Sequence, residues 1–169
     1  MGESDFDVIK GGMMAVSKFE LYHGIVLAQM VRHPKINVKL ISRDENQHWA
    51  FYDVMDNQDE YVVYMKYASK PANVESKRRY NFTFTPQDIS RIKQEMQGNK
   101  KILVCLVCGN EEVCLLMKED LDELELWGIE NNRNLAVTWV KNSKLTVKSG
   151  GRELSHKIAR DRLRSFKWK

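Results

Sequence analysis

The stretches Tyr61-Val-Val-Tyr-Met-Lys-Tyr67, Thr85-Pro-Gln-Asp-Ile-Ser-Arg-Ile-Lys-Gln-Glu-Met-Gln-Gly-Asn99 and Ile102-Leu-Val-Cys-Leu-Val-Cys108 decide the fold. The first is rich in aromatic and β-branched residues, the side chains that fit a pleated surface, and reads as a strand. In the second, Thr85 caps a helix and Pro86 takes the first helical position, where its missing N–H costs nothing. Ile89, Ile92 and Met96 give that helix a narrow apolar stripe, and Gly98-Asn99 ends it. The third is a continuous apolar run, expected of a strand covered on both faces. A helix between two such strands implies a crossover that leaves them parallel.

Upstream the period is two. Ile36-Asn-Val-Lys-Leu40 alternates, Trp49–Met55 is rich in strand formers, and Asp56-Asn57-Gln58-Asp59 makes a hairpin loop before Tyr61. Tyr80-Asn-Phe-Thr-Phe84 alternates again after a more open connection, Lys70–Lys77, that contains Pro71. Ahead of these strands, Ser17-Lys18-Phe19-Glu20 is a capping-box pattern. The helix it opens carries Phe19, Tyr22, Ile25, Val26 and Met30, and Pro34 stops it after His33. Downstream, Gly109-Asn110 turns the chain into Val113–Met117, an acidic helix Glu119–Trp127 follows, and Leu135–Val140 and Leu145–Val147 form a hairpin about Asn142-Ser143. The expectation is an α+β fold: a mixed sheet flanked by helices, with an α-β-β-β-α-β core and a C-terminal antiparallel extension. A flexible arm is expected over 1–14, a single domain over 15–150 and a basic tail over 151–169.

At 169 residues the chain has the length of one domain, and 43% hydrophobic content with three prolines and nine glycines excludes a disordered or collagen-like chain. No apolar run approaches the roughly 18 residues of a membrane span, and Glu3, Asp5 and Asp7 stand where a secretory signal needs basic charge. Three cysteines are too few for a disulfide scaffold, so a cytoplasmic setting is expected. The net charge of +4 is unevenly spread: residues 141–169 hold ten Lys or Arg against Glu153 and Asp161. Such density suits a phosphate-binding surface, a solvated tail or docking onto the acidic stretch Glu119–Glu130.

Cys105, Cys108 and Cys114 lack a fourth zinc ligand at tetrahedral spacing and read as buried thiols, with Cys105 opposite Cys114 if Gly109-Asn110 is a two-residue turn. His23, His33, His48 and His156 are scattered, and no GxSxG, P-loop or GxGxxG occurs. What remains is a carboxylate, Asp53, ending one strand and a lysine, Lys66, inside the next, where an unpaired charge is costly. A symmetric hairpin about Asn57-Gln58 pairs Asp53 with Val62 and Trp49 with Lys66, about 13 Å apart along the strand.

With Glu20 on the preceding helix, this pattern over roughly residues 17–108 resembles the restriction-endonuclease-like PD-(D/E)XK nuclease superfamily. The resemblance implies Asp53, Lys66 and Glu20 as catalytic residues, with Asp53 and Glu20 holding Mg2+. The acid that the family carries two residues before its lysine is Tyr64 here, a poor ligand for a hard cation, which implies weak or absent catalysis. Nucleic acid is the expected partner, contacted by Lys70, Lys77, Arg78 and Arg79 and by Arg160, Arg162 and Arg164 of the tail. The aromatics Tyr80, Phe82 and Phe84 either stack bases or face the core. The alternative is a non-enzymatic module that binds a protein or small ligand through its sheet.

Overall fold

The computed structural model describes residues 6–8 and 15–168, apart from residues 45, 47, 57, 75 and 129. Chain order is β1 (Phe6–Val8), β2 (Ala15–Ser17), α1 (Lys18–Met30), β3 (Asn37–Asp44), β4 (Trp49–Met55), β5 (Glu60–Ala68), β6 (Ala72–Val74), β7 (Lys77–Phe84), α2 (Pro86–Glu95), β8 (Lys101–Cys108), β9 (Glu112–Met117), α3 (Lys118–Glu123), β10 (Arg133–Trp139), β11 (Thr146–Ser149) and β12 (Arg152–Glu153). The class is α+β with a mixed sheet. Of the expected arm at 1–14, residues 1–5 and 9–14 lie outside the described residues, whereas β1 is not a loose segment: it pairs antiparallel with β2.

The central sheet has the order β3-β4-β5-β8-β9, and β5 runs parallel to β8 with Val62 opposite Ile102 and Lys66 opposite Leu106. The other pairs in it are antiparallel. Here the expected crossover is present, but the fourth upstream strand is not part of this sheet. β6 and β7 leave it to join β10, β11 and β12 in a second, antiparallel sheet of order β12-β11-β10-β7-β6. The reason is hydrophobic: Tyr80, Phe82 and Phe84 pack inward onto one face of the central sheet, against Tyr64, Val104 and Leu106, with Ile89 and Ile92 of α2 beside them. These aromatics are core residues and offer no stacking surface.

The opposite face of the central sheet is covered twice. Phe19, Val26 and Met30 of α1 pack on Ala50, Tyr52, Val54 and Val63, and Leu163 and Trp168 from the chain's end join the same cluster. β5 and β8 therefore have both faces buried, which explains the unbroken apolar run Ile102–Cys108 and leaves Lys66 as a buried charge within β5. α1 begins with the expected capping box: Ser17 Oγ accepts from the Glu20 amide at 3.1 Å, and the Ser17 amide donates to the Glu20 carboxylate at 3.2 Å.

Two expectations are corrected. The β8–β9 turn holds three residues, with Gly109 at φ +54° and its backbone so close to Tyr80 that a Cβ would meet the phenol oxygen at 3.0 Å. That extra residue shifts the register by one, so Cys105 pairs with Leu115 and Leu106 with Cys114, and Cys105 faces away from Cys108 and Cys114. All three thiols are buried, and burial pushes Cys105 up to about 12. The second correction concerns residues 151–169. Leu154 and Ile158 enter the core between the sheets, Ile158 bridges Leu145, and the chain then crosses to the far face. It is an integral wall of the domain, without a helix among its described residues, and covers the β9 edge through Arg162, which donates to the Leu115 carbonyl at 3.0 Å. The leucine deletion Leu163→Ala is expected to lower stability by about 2–5 kcal/mol, since Leu163 is 1% exposed. An unchanged urea midpoint would mean the segment is an appendage after all.

Candidate functional site: a locked lysine and a lysine-lined groove

Lys66 sits on the face of β5 that meets α2, and its ammonium donates to Asp88 Oδ2 at 3.2 Å. Asp88 is 1% exposed and belongs to the first turn of α2. The same carboxylate accepts the Thr85 amide at 2.9 Å, while the Asp88 amide donates to Thr85 Oγ1, a complete capping box. Arg91 reaches Asp88 Oδ1 at 3.7 Å and lies over the Trp49 ring. One buried carboxylate thus holds the lysine of the central strand, the helix start and an arginine one turn on. Tyr64, two residues before Lys66, is buried with its hydroxyl unpartnered, and burial raises its pKa well above the ordinary phenol value. It stays a neutral phenol, unfit as a cation ligand.

The other two residues of the nuclease-like set are elsewhere. Trp49 pairs with Lys66 and Asp53 with Val62, so Asp53 and Lys66 share a face four residues apart, about 13 Å. Asp53 is instead engaged by Lys100 at 3.2 Å, a bond that raises the lysine's pKa. Glu20 is at the start of α1, on the opposite face of the sheet, where it serves the capping box. Asp53 and Glu20 do not converge as a donor pair for Mg2+, and among the described residues no three His, Cys, Asp or Glu side chains are grouped to hold a metal ion. No step through a metal follows from this geometry.

The basic residues expected to touch nucleic acid divide. Lys77 and Arg79 point outward from β7, and Lys70 and Arg164 are exposed. Arg78, on the alternate face, is paired with Glu111, which also accepts from the Tyr80 hydroxyl at 2.7 Å. Arg160 pairs with Glu112 and lies 5.0 Å from the Trp139 ring centroid, and Arg162 donates to buried Asp120 at 2.7 Å. His156 bonds the same Asp120 at 2.8 Å. The arginines at 160 and 162 therefore dock the chain's end onto acidic partners, and Asp120 lies in the stretch Glu119–Glu130.

The outer face of the second sheet carries the constellation that the sequence reading did not assemble. Lys77, Lys144, Lys148 and Lys157 surround a groove of about 300 Å³ with Thr138, Ser143, Thr146 and Trp139, and Glu153, 3.7 Å from Lys148, is the sole acid among the described residues that line it. The β-ladder brings them together: Thr138 pairs with Thr146 on one side and Arg79 on the other, and Ala136 pairs with Lys148. Alternation directs Val137 and Val147 into the core, so their neighbours face out. Asn142, at φ +64°, turns the hairpin that carries Lys144. Lys77 is among the residues expected to contact nucleic acid, Lys144, Lys148 and Lys157 stand out in the sequence only as charge density, and Asp88 has a signal, an acid three residues after a capping Thr. No protein-family model matches the chain, and neither does any curated protein or solved structure.

Two outcomes follow. Replacing Lys66 by Ala strands the buried Asp88 carboxylate and should cost about 3–5 kcal/mol in denaturant unfolding, whereas Lys66→Met with Asp88→Asn should recover much of it. Equal losses in the two variants would show that the pair is not the lock described. On the other face, His23 of α1 bonds the Tyr52 hydroxyl, and burial, aided by Arg43, lowers its pKa to about 3. The unfolded chain, with an ordinary histidine near 6.5, binds the proton more readily, so this neutral histidine stabilises the fold above pH 6.5. That contribution is lost between pH 6.5 and 3, with a slope of up to about 1.4 kcal/mol per pH unit. His23→Gln should flatten that part of the stability–pH curve; an unchanged slope would contradict the buried neutral state.

Proposed function

We propose that the protein binds nucleic acid through its sugar–phosphate backbone, on a restriction-endonuclease-like scaffold that has weak or no cleavage activity. The observation that carries this reading is the groove on the outer face of the second sheet, lined by four lysines and by Thr138, Thr146 and Ser143, with Glu153, which Lys148 reaches at 3.7 Å, as the acid among its described lining residues. Ammonium groups neutralise phosphates and release counterions, and hydroxyls donate to phosphate oxygens. Arg79, opposite Thr138 on the outward face of β7, extends the positive surface. The outward positions of β7, β10 and β11 bear mainly charged and polar side chains that suit backbone contact, and Trp139 is the one ring among the described residues that line the groove.

Support for the scaffold comes from the α-β-β-β-α-β order of α1, β3, β4, β5, α2 and β8 with a parallel final pair. Support for lost catalysis comes from Tyr64, from the Lys66–Asp88 lock and from the separation of Asp53 and Glu20.

Binding of a labelled duplex or single strand should fall steeply with salt, with a log–log slope of about −3 to −4 if all four lysines touch phosphate. Lys144→Glu with Lys148→Glu should weaken binding at least tenfold and make that slope shallower, while incubation with Mg2+ or Mn2+ leaves the nucleic acid intact. Salt-independent binding, or binding indifferent to the double substitution, would favour a module that takes a protein or small ligand. Metal-dependent cleavage abolished by both Asp53→Ala and Lys66→Ala would overturn the non-catalytic part.

A further inference from the structure

A second concavity lies at the other end of the central sheet, where β5 and β8 begin and β9 ends. Its volume is about 420 Å³, and it shares no residue with the lysine-lined groove. Tyr61, Ile102, Leu103, Met96, Met117 and Phe166 form an apolar lining. Phe166 and Tyr61 stand edge to face at 5.7 Å, and Trp168 backs Tyr61 at 5.0 Å, so one wall is a packed aromatic group contributed by the chain's last turns. The methionines on either side are flexible, polarisable side chains that accommodate different apolar bodies.

Lys100, Lys101, Lys118 and Lys167 also line this space, against Glu119 as the one lining acid. Lys100, Lys101 and Lys118 each use a single bond, to Asp53, Asp59 and Asp122 at 3.2, 3.3 and 2.8 Å. An ammonium has three N–H donors, so two on each remain for an oxygen acceptor. Two of these ion pairs are exposed, with lysine side chains 54% and 56% accessible, and exposed pairs exchange partners at little cost. The Asp53 and Asp122 bonds raise the pKa of Lys100 and Lys118, so both remain cationic across the neutral range. Lys101 also lies 5.6 Å from the Tyr61 ring centroid, which ties the charged rim to the apolar floor.

We propose that this pocket binds a small amphiphilic anion, an acyl or similarly apolar body seated among Tyr61, Met96, Met117 and Phe166 with its carboxylate or phosphate head on the lysine rim. A wholly apolar ligand leaves the spare ammonium donors unused, and a cationic head finds the rim carboxylates already engaged by Lys100, Lys101 and Lys118, with Lys167 as a further like charge. Asp53 gains a role in this arrangement as the residue that positions Lys100.

Decanoate and decyl phosphate, each below its micellar concentration, are the calorimetric probes, and decanol and decyltrimethylammonium are the comparisons. Saturable binding of one equivalent of either anion, at least tenfold tighter than of either comparison, is expected. Phe166→Ser should weaken it tenfold or more. Exposed Lys167→Glu, which leaves the core untouched, should weaken it about three- to tenfold. Non-saturable uptake, comparable binding of the cationic amphiphile, or anion binding unaffected by Lys167→Glu overturns the proposal. Nucleic-acid binding by the Lys144 and Lys148 groove is measured separately, so neither result depends on the other.

Discussion

Burial of β5 and β8 on both faces governs the rest of the architecture. Two parallel strands cannot be joined by a tight turn, so the chain between them must travel out of the sheet and return. It does so through β6, β7 and α2, and the excursion deposits Tyr80, Phe82 and Phe84 on one face. The other face is closed by α1 and by Leu163 and Trp168. A continuous apolar strand such as Ile102–Cys108 is stable only when both walls are present, which makes the chain's end as structural as its helices.

Buried charge plays a matching part at two places. Asp88 binds Lys66, Arg91 and the Thr85 amide, and so fastens α2 to the central strand. Asp120 binds Arg162, His156 and the Met117 amide, and so fastens the chain's end to β9 and α3. In each case one carboxylate compensates several donors, the condition under which buried charge is tolerated. This use of Lys66 and of Arg160 and Arg162 gives each a carboxylate partner within the fold. A lysine buried within a strand is read as functional because it is costly, and here its partner on a neighbouring helix accounts for the cost.

The electrostatics then separate into two surfaces. Around the central sheet, Lys100 and Lys101 are balanced by Asp53 and Asp59. On the second sheet, Lys77, Lys144, Lys148 and Lys157 face one acid, and the imbalance is local and strong. The first surface has an apolar floor, whereas the second has hydroxyls beside its lysines. Among the described residues no helix is long and apolar enough to cross a membrane.

Much was legible in the residues alone because it depends on local chemistry. Ser17 with Glu20 and Thr85 with Pro86 set the two helix starts, alternation set the strands, and the loop at Asp56–Asp59 set the pairing of Trp49 with Lys66. The mixed α+β class followed from a helix between two apolar runs. Periodicity does not say which sheet a strand joins, so the departure of β7 into the second sheet depended on packing between faces far apart in sequence. The one-residue shift at Gly109 depended on how closely the turn approaches Tyr80. The same limit applies to the sites. Asp53, Lys66 and Glu20 form a pattern along the chain, but strand rise and the opposite placement of α1 keep them apart. Lys77 and Lys148 belong to separate basic stretches of the chain, yet cross-strand pairing through β10 sets them at one groove. Sequence determines what each element is because capping and alternation act over a few residues; tertiary structure decides which charges meet, because meeting requires distant strands to share a face.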